Sequence, residues 1–412
     1  MTRKHLTLGT VFAMALIVGT TVSDANGFRN PPEGAAAFGR AGGKIAHIDD
    51  PSAVVHNPAN LADLETLRGQ GGITIIHADI EYKGPGGRRS ETRDKTKIIP
   101  SFFAAVPLGD SGDIILGVGV ASPFGQSTVW PKDATFLGAN AYFAEIITIN
   151  VNPTLATRVS DSLLIGAGVD VMYSELDFRQ QLGLLGPLGP LTGVRLQGDG
   201  SGLGFHAGAT LDIAEGQRLA VTYKSSIEVD YEGDTDVSGF TGPLAPSSDF
   251  DSTIDFPSVV AFGYGITIGE NLRVGVDIEW IEFSTFDALP LDLGVNNAAG
   301  IFPPAIPQAW DDSWTYGVGA DLKLNDEWML RGGWTYLETP IPEATVSPSL
   351  PDADRHFFAL GLGFQGERHG LDFAYAISVY DREVDSDLAP LAFVGDYDTV
   401  SQLVQVTHRM VF

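Results

Sequence analysis

From Arg68 to the carboxy-terminus the chain uses two kinds of connection in strict alternation, and no other feature limits its fold so much. Six turns are short and polar, at 108–112, 160–162, 214–217, 269–271, 325–327 and 366–369. Between them lie seven longer connections, at 83–95, 123–140, 179–200, 232–254, 287–312, 340–354 and 384–398. They separate 14 segments with a side-chain period of two, the signature of strands with two unlike faces. An even strand number, both ends on the short-turn side and one looped rim describe an all-β, 14-stranded antiparallel transmembrane β-barrel.

The faces agree with that reading. In 147–155, isoleucine, valine and leucine alternate with threonine and asparagine, and 272–280 and 371–379 repeat the pattern with charges on the polar face. A soluble sandwich also alternates, but it has no use for aromatics near both strand ends. Trp280, Trp314, Tyr316, Trp328, Trp334, Tyr336 and Tyr375 suit the two interfacial girdles of a membrane barrel. An open sheet edge is not tolerated in lipid, so the sheet must close. The last strand places Val404, Val406, Met410 and Phe412 on one face and stops on an aromatic residue, resembling the signal read by outer-membrane assembly machinery.

Residues 1–25 read as a secretion signal, with Arg3 and Lys4 ahead of an apolar stretch too short to span a bilayer and small residues at Ser23 and Ala25. Losing Arg3, Lys4 and Asp24 takes the formal charge from −27 to −28. That excess argues against nucleic acid and against docking on anionic head groups. Cysteine is absent, which removes disulfides and thiol chemistry.

Residues 26–67 have neither period and are rich in glycine, alanine, proline and asparagine. They form a separate amino-terminal segment ahead of the barrel at 68–412. Six strands carry inward glycine pairs: Gly117/Gly119, Gly166/Gly168, Gly204/Gly208, Gly263/Gly265, Gly317/Gly319 and Gly361/Gly363. Strand glycines mark either sheet curvature or the close approach of other backbone. Their concentration near the short turns favours an object packed in that half, and 26–67 is the segment long enough to be it.

Five stretches of the chain carry a family resemblance. Phe38-Gly39-Arg40-Ala41-Gly42, Asp49-Asp50-Pro51-Ser52-Ala53 and His56-Asn57-Pro58-Ala59 resemble the amino-terminal hatch of FadL-type long-chain fatty acid transporters. Ser122-Pro123-Phe124-Gly125 with Trp130, and Val151-Asn152-Pro153-Thr154-Leu155-Ala156, are similar to the same family. The resemblance implies a barrel plugged by a small hatch, with Phe38, Gly39, Arg40, Asn57, Pro58 and Ala59 as hatch or gate residues. It further implies a hydrophobic ligand captured by extracellular loops and released sideways beside a kinked third strand. Gly117 and Gly119 are the expected kink, with Pro123, Phe124 and Gly125 beyond it at the lateral opening.

An acyl chain gains about 0.8 kcal/mol per CH₂ on leaving water, so its route needs apolar loops. Leu182, Leu184, Leu185, Leu188 and Leu191 supply one cluster, and Ile301, Phe302, Ile306 and Trp310 another; packing between loops is the competing explanation. Arg158, Lys224, Arg331 and Arg355 have inward parity and can meet a ligand carboxylate or neutralise an acid on the wall. Acidic clusters such as Asp230/Glu232/Asp234/Asp236 read as solvated loop charge, or as divalent-cation contacts to lipopolysaccharide. No spacing matches a metal or cofactor site, and no histidine sits in a nucleophile motif, so an enzyme is not expected. The expectation is a monomeric outer-membrane carrier of long-chain fatty acids, embedded among lipid and lipopolysaccharide. The alternatives are an aromatic-hydrocarbon importer and a general porin.

Overall fold

Alternation of apolar and polar residues over long segments, with each face meeting a different medium, yields the closed barrel seen in the computed structural model. It describes residues 27–109, 113–132, 136, 139–182, 192–239, 244–385 and 393–412; the expected signal at 1–25 lies outside these. The described residues form 14 antiparallel strands. They are β1 (Arg68–Gly84), β2 (Arg88–Glu91, continuing as Thr96–Leu108), β3 (Ile114–Ala121 and Gly125–Val129), β4 (Ala139–Ser160), β5 (Leu163–Leu182), β6 (Thr192–Ala214) and β7 (Gln217–Lys224 and Ile227–Ser238). The second half comprises β8 (Ser247–Phe256 and Val259–Ile268), β9 (Leu272–Ile281), β10 (Ser313–Lys323), β11 (Trp328–Leu337), β12 (Arg355–Gln365), β13 (His369–Val384) and β14 (Gly395–Val411). Pairing of β1 with β14, Arg68 opposite Val411, closes the sheet. In β9 the outward Val276 and Ile278 are exposed for lipid, while the inward Asp277 and Glu279 are buried.

Several connections expected as long loops are strand instead. β7 runs to Ser238 and β8 starts at Ser247, and Glu232 sits opposite Asp251 in the ladder. The acids at 230–236 are therefore outward strand residues beside buried Tyr231, Thr235 and Val237, not loop charges. Beyond the lipid band the outward face meets water, so period-two alternation continues there with carboxylates in place of apolar side chains.

Residues 27–67 lie inside the barrel and are buried over most of their length. They contain a short helix α1 (Ala35–Arg40), one turn of α2 (Ala53–His56) and a 3₁₀ segment, Pro58–Asp63. Asn57 separates the last two: its backbone is extended at φ −153°, and its side chain accepts from the Ala59 N–H at 3.2 Å, ahead of Pro58 at the first helical position. The wall is shaped to this segment. A Cβ on Gly317 would lie 2.7 Å from the Gly42 Cα, and one on Gly166 2.5 Å from the Pro58 carbonyl carbon. Gly117, Gly208, Gly263, Gly265, Gly319 and Gly361 likewise face residues of the 27–67 segment. Gly168, Gly204 and Gly363 instead face wall side chains. Close approach thus explains most of the inward glycines.

Candidate functional site

Among the described residues several strands are interrupted, and at the interruption in β3 the 27–67 segment fills the gap. Strand β3 is interrupted at Ser122–Phe124: Ala121 sits opposite Asn150 and Gly125 opposite Ile147, so three residues of β3 face two of β4. On its other edge β3 pairs with β2 only from Ile114 to Val120. Above that, the described contact across the β2–β3 seam is the Arg93 N–H donating to the Val129 carbonyl at 2.7 Å. The freed edge of β3 turns to residues 28–30. Gly125 N–H donates to the Phe28 carbonyl at 2.7 Å, Asn30 N–H to the Pro123 carbonyl at 2.9 Å, and Asn30 Nδ2 to the Ser122 carbonyl at 2.9 Å. Gly117 and Gly119, the expected kink, lie in regular pairing opposite Ala105 and Phe103. They are small because Val54 and Leu61 press against that face, within 2.8 and 2.7 Å of a Gly117 Cβ. The bend lies farther along, at the proline.

Phe28 sits at the boundary between two internal spaces. Its ring meets those of Phe124, Phe256, Phe283, Phe286 and Trp310 at 5.1–5.9 Å between centroids. On the extracellular side it helps line an apolar cavity of about 400 Å³ with Phe143, Ile146, Phe178, Leu196 and Ile306. On the other side are two smaller cavities, of about 90 and 40 Å³, which share Arg29, Glu33, Val55, Pro123, Lys224 and Val259. The smaller also touches Ala121 and Phe124 at the interrupted strand.

Residues 16–405 match the sequence profile of the outer membrane protein transport protein family, OMPP1/FadL/TodX. The chain belongs to this family. Relatives of the FadL/TodX protein described here include the long-chain fatty acid transport protein of Salmonella typhi, 22% identical over 88% of this chain and 89% of the relative. Outer membrane protein P1 of Haemophilus influenzae is 21% identical, with coverage of 89% and 88%. Among solved structures, a Pseudomonas aeruginosa FadL homologue has a TM-score of 0.82 at 23% identity, covering 94% of this chain and all (100%) of that one. The Ralstonia pickettii toluene transporter TbuX has a TM-score of 0.72 at 17% identity, covering 94% and 99%. At these identities the structural likeness speaks for the fold. The family and the barrel together place this chain in the bacterial outer membrane.

In this FadL/TodX protein the charged contacts of the 27–67 segment are concentrated on one side of the barrel. Arg40 Nε donates to Asp321 at 2.7 Å, and Arg273 bridges Asp321 at 2.9 Å to Asp49 at 2.7 Å. Behind these, within the wall itself, Arg331 pairs with Asp372 at 2.7 Å, and Arg409 pairs with the same carboxylate. Lys44 meets Glu279 at 2.7 Å, and Arg29 meets the same residue. The opposite side is mostly neutral: Asn57 Nδ2 donates to Thr210 Oγ1 at 2.8 Å, and Thr210 donates to Asn60 Oδ1 at 2.7 Å. At its lower end Asp63 accepts from Arg158 and Arg218, each at 2.7 Å. Burial lowers the His56 pKa to about 3, so its neutral ring donates Nε2–H to the Glu33 carbonyl at 2.8 Å. Burial pushes the Glu33 carboxyl above its ordinary range, and lowers His47 to about 4 with Arg40 and Arg273 adding to the effect.

The four inward cations singled out from sequence therefore separate. Arg158 is held by Asp63, Arg331 by Asp372, and Arg355 by Asp352 with its guanidinium 4.8 Å from the Tyr380 ring centroid. Lys224 alone among those four has no ion pair within the described residues, and it lines both lower cavities. Leu182 packs against the apolar cluster at the barrel mouth, as do Phe302 and Ile306. Leu184, Leu185, Leu188 and Leu191 lie outside the described residues. Phe38, Gly39, Arg40, Asn57, Pro58 and Ala59 are all buried in the segment, with Phe38 edge-on to Phe357 at 5.4 Å. Sequence reasoning missed Phe28 and Asn30, whose partners are scattered over the chain. Thr154, His206 and Asp170 also form an unforeseen buried chain of hydrogen bonds, at 2.8 and 3.1 Å, anchored by Asn150 and Asn152.

Proposed function

We propose that this protein imports hydrophobic small molecules, long-chain fatty acids foremost, through a route that leaves the barrel sideways. Ligand enters the apolar cavity beneath the loops, passes Phe28, and exits to the membrane at the β2–β3 seam. The 27–67 segment acts as the hatch that bars a direct passage to the periplasm. The observation that carries this reading is the interrupted β3, whose edge is satisfied by residues 28–30 in place of β2. An unpaired edge in lipid would be costly, so the internal partner keeps the gap in the ladder satisfied while the route is closed. A general porin has no use for such a filled lumen. An enzyme is disfavoured by the burial of Thr154, the hydroxyl nearest His206, which is 2% exposed.

The test uses the absence of native cysteine. Asn30 Nδ2 lies 3.2 Å from Ser122 Oγ, so a N30C/S122C pair ties the hatch entrance to the bend. Oxidation is expected to stop oleate uptake by cells lacking another carrier, and reduction to restore it. Wild-type uptake by the fully oxidised form would refute the route.

A further inference from the structure

Two histidines and a methionine come together on the outer face of the barrel at its short-turn rim, away from the hatch and the internal cavities. His369 opens β13 and His408 lies near the end of β14, and both residues are exposed. Their rings are 5.3 Å apart between centroids at an angle of 18°, with His369 Nδ1 3.2 Å from His408 Nε2. Met410 shares the outward face with His408, because residues two apart on a strand point the same way, and the ladder sets it directly opposite His369. Such cross-strand neighbours have Cβ atoms about 4.5–5.5 Å apart, within reach of a flexible thioether. Arg409, between the two donors on β14, has the opposite parity and is held by Asp372. On the other edge of β14, Gly69 stands opposite Met410 and Gly71 opposite His408, so β1 places no side chain beside the three donors. A hydrogen bond between the rings accounts for their approach. It does not account for a third, soft donor set beside them, or for the bare edge next to all three.

We propose that His369, His408 and Met410 form a binding site for monovalent copper at the periplasmic rim of the barrel. Imidazole suits both copper and zinc, whereas a thioether selects the soft cuprous ion. With metal–nitrogen bonds of about 2.0–2.1 Å, the 3.2 Å between the facing ring nitrogens subtends about 100–106° at the metal, an angle that a three- or four-coordinate ion accepts. The ring that donates across the pair takes up its other tautomer, and both facing nitrogens then offer lone pairs. Among the described residues no three His, Cys, Asp or Glu side chains gather to hold a metal, and the chain has no cysteine. Zinc, held in structural sites by four ligands of those kinds, is therefore the weaker fit. Sequence spacing hides the site because its second histidine comes from the neighbouring strand.

The test uses untagged, full-length protein purified in detergent, with cuprous ion as the probe under anaerobic reducing conditions and bicinchoninate as the competing chelator. Wild type is expected to take a single equivalent. Changing a group that only supports a metal ligand costs about 10–100-fold in affinity, so loss of the ligands themselves in H369Q/H408Q is expected to cost at least about tenfold. Met410→Leu is expected to weaken cuprous binding by at least about tenfold and to leave Zn(II) binding by the histidine pair within about twofold. X-ray absorption at the copper edge should show a sulfur neighbour in wild type and none in M410L. The histidines are exposed and Met410 is only half-buried, so heat-modifiable gel migration should show the same folded barrel in each variant. Equal cuprous affinity in wild type and H369Q/H408Q overturns the site, as does a wild-type copper edge without sulfur. Either result leaves the transport reading intact, since that reading rests on the β3 edge.

Discussion

One added methyl group tests whether the hatch is held by fit to the wall. A Cβ on Gly42 would stand 2.3 Å from the Gly317 Cα, 2.4 Å from its carbonyl carbon and 2.5 Å from the Val318 nitrogen. Carbon atoms at ease sit about 3.5–4.0 Å apart, so Gly42→Ala overlaps by more than about 1 Å with three atoms. All three belong to the backbone of β10, which is hydrogen-bonded on both sides to β9 and β11 and cannot retreat without breaking ladder bonds. The hatch must therefore yield. Overpacking a well-fitted site costs about 1–3 kcal/mol, and the upper half of that range applies where the neighbour is backbone. At about 2 kcal/mol the undocked fraction rises about thirty-fold. Gly39→Ala is the internal control: its Cβ would meet the Gly361 Cα at 3.0 Å, so its effect should be smaller. The assay is small-ion conductance of purified protein in planar bilayers, with heat-modifiable gel migration to show that the barrel itself is intact. The expected order of open-channel events is G42A above G39A above wild type. A closed G42A with unchanged barrel would mean that the hatch is not seated against β10 as described.

Acidification should loosen the same contact by a different route. His47 and His56 are neutral in the folded state, with pKa values of about 4 and about 3, below the ordinary 6.5. Their stabilisation is complete above pH 6.5 and declines as the pH falls toward those values, because the displaced hatch takes up protons first. Glu33 and Asp50, raised by burial, act in the opposite sense, as each gains a proton more readily when docked. The acid-induced rise in conductance should thus be smaller in a H47Q/H56Q double variant than in wild type; identical profiles would refute the assignment. At the other end of the chain, the Phe412 N–H donates to the Leu67 carbonyl at 3.0 Å while the residue is 65% exposed. Removing Phe412 should lower assembled protein in the outer membrane, and unchanged surface levels would show that the terminal aromatic is not read.

The barrel was legible because each strand repeats a two-residue rule that survives any register, and because the short turns mark one rim. The hatch was legible through wall glycines such as Gly317, since their concentration in one half of the barrel favours close approach by another backbone over curvature alone. What sequence could not show is where the regular ladder stops. Gly117 and Gly119 suggest a kink by their lack of side chains, yet both stay paired and the break falls at Ser122–Phe124. Pro123 has no N–H to give to a ladder, so its position carried the stronger physical reason. Phe28 was invisible for a different cause: its ring partners lie at 124, 256, 283, 286 and 310, a set brought together only by closure of the barrel.

The distribution of forces on the hatch decides which part can move. Breaking one member of a buried ion pair costs about 3–5 kcal/mol, and residues 40–49 hold several such pairs with β9 and β10, Arg40–Asp321 and Lys44–Glu279 among them. Residues 28–30 hold the β3 edge through a few hydrogen bonds, each worth about 1 kcal/mol net, and through aromatic contacts that a hydrophobic ligand can replace in kind, with one ion pair, Arg29 to a Glu279 carboxylate that Lys44 also holds. Pro31 and Pro32 stiffen the link between the two parts, so motion of Phe28 is transmitted to Glu33 without being lost in a flexible joint. The cheapest opening is therefore withdrawal of residues 27–33, which gives up the Arg29 pair but leaves Glu279 paired with Lys44 and residues 40–49 still seated. This separates the two perturbations above. The N30C/S122C bond should block uptake and leave conductance closed, whereas G42A should raise conductance whether or not uptake survives. If the cross-link alone opened the pore, the hatch would have to move as one body, and the arginine network could not be its anchor.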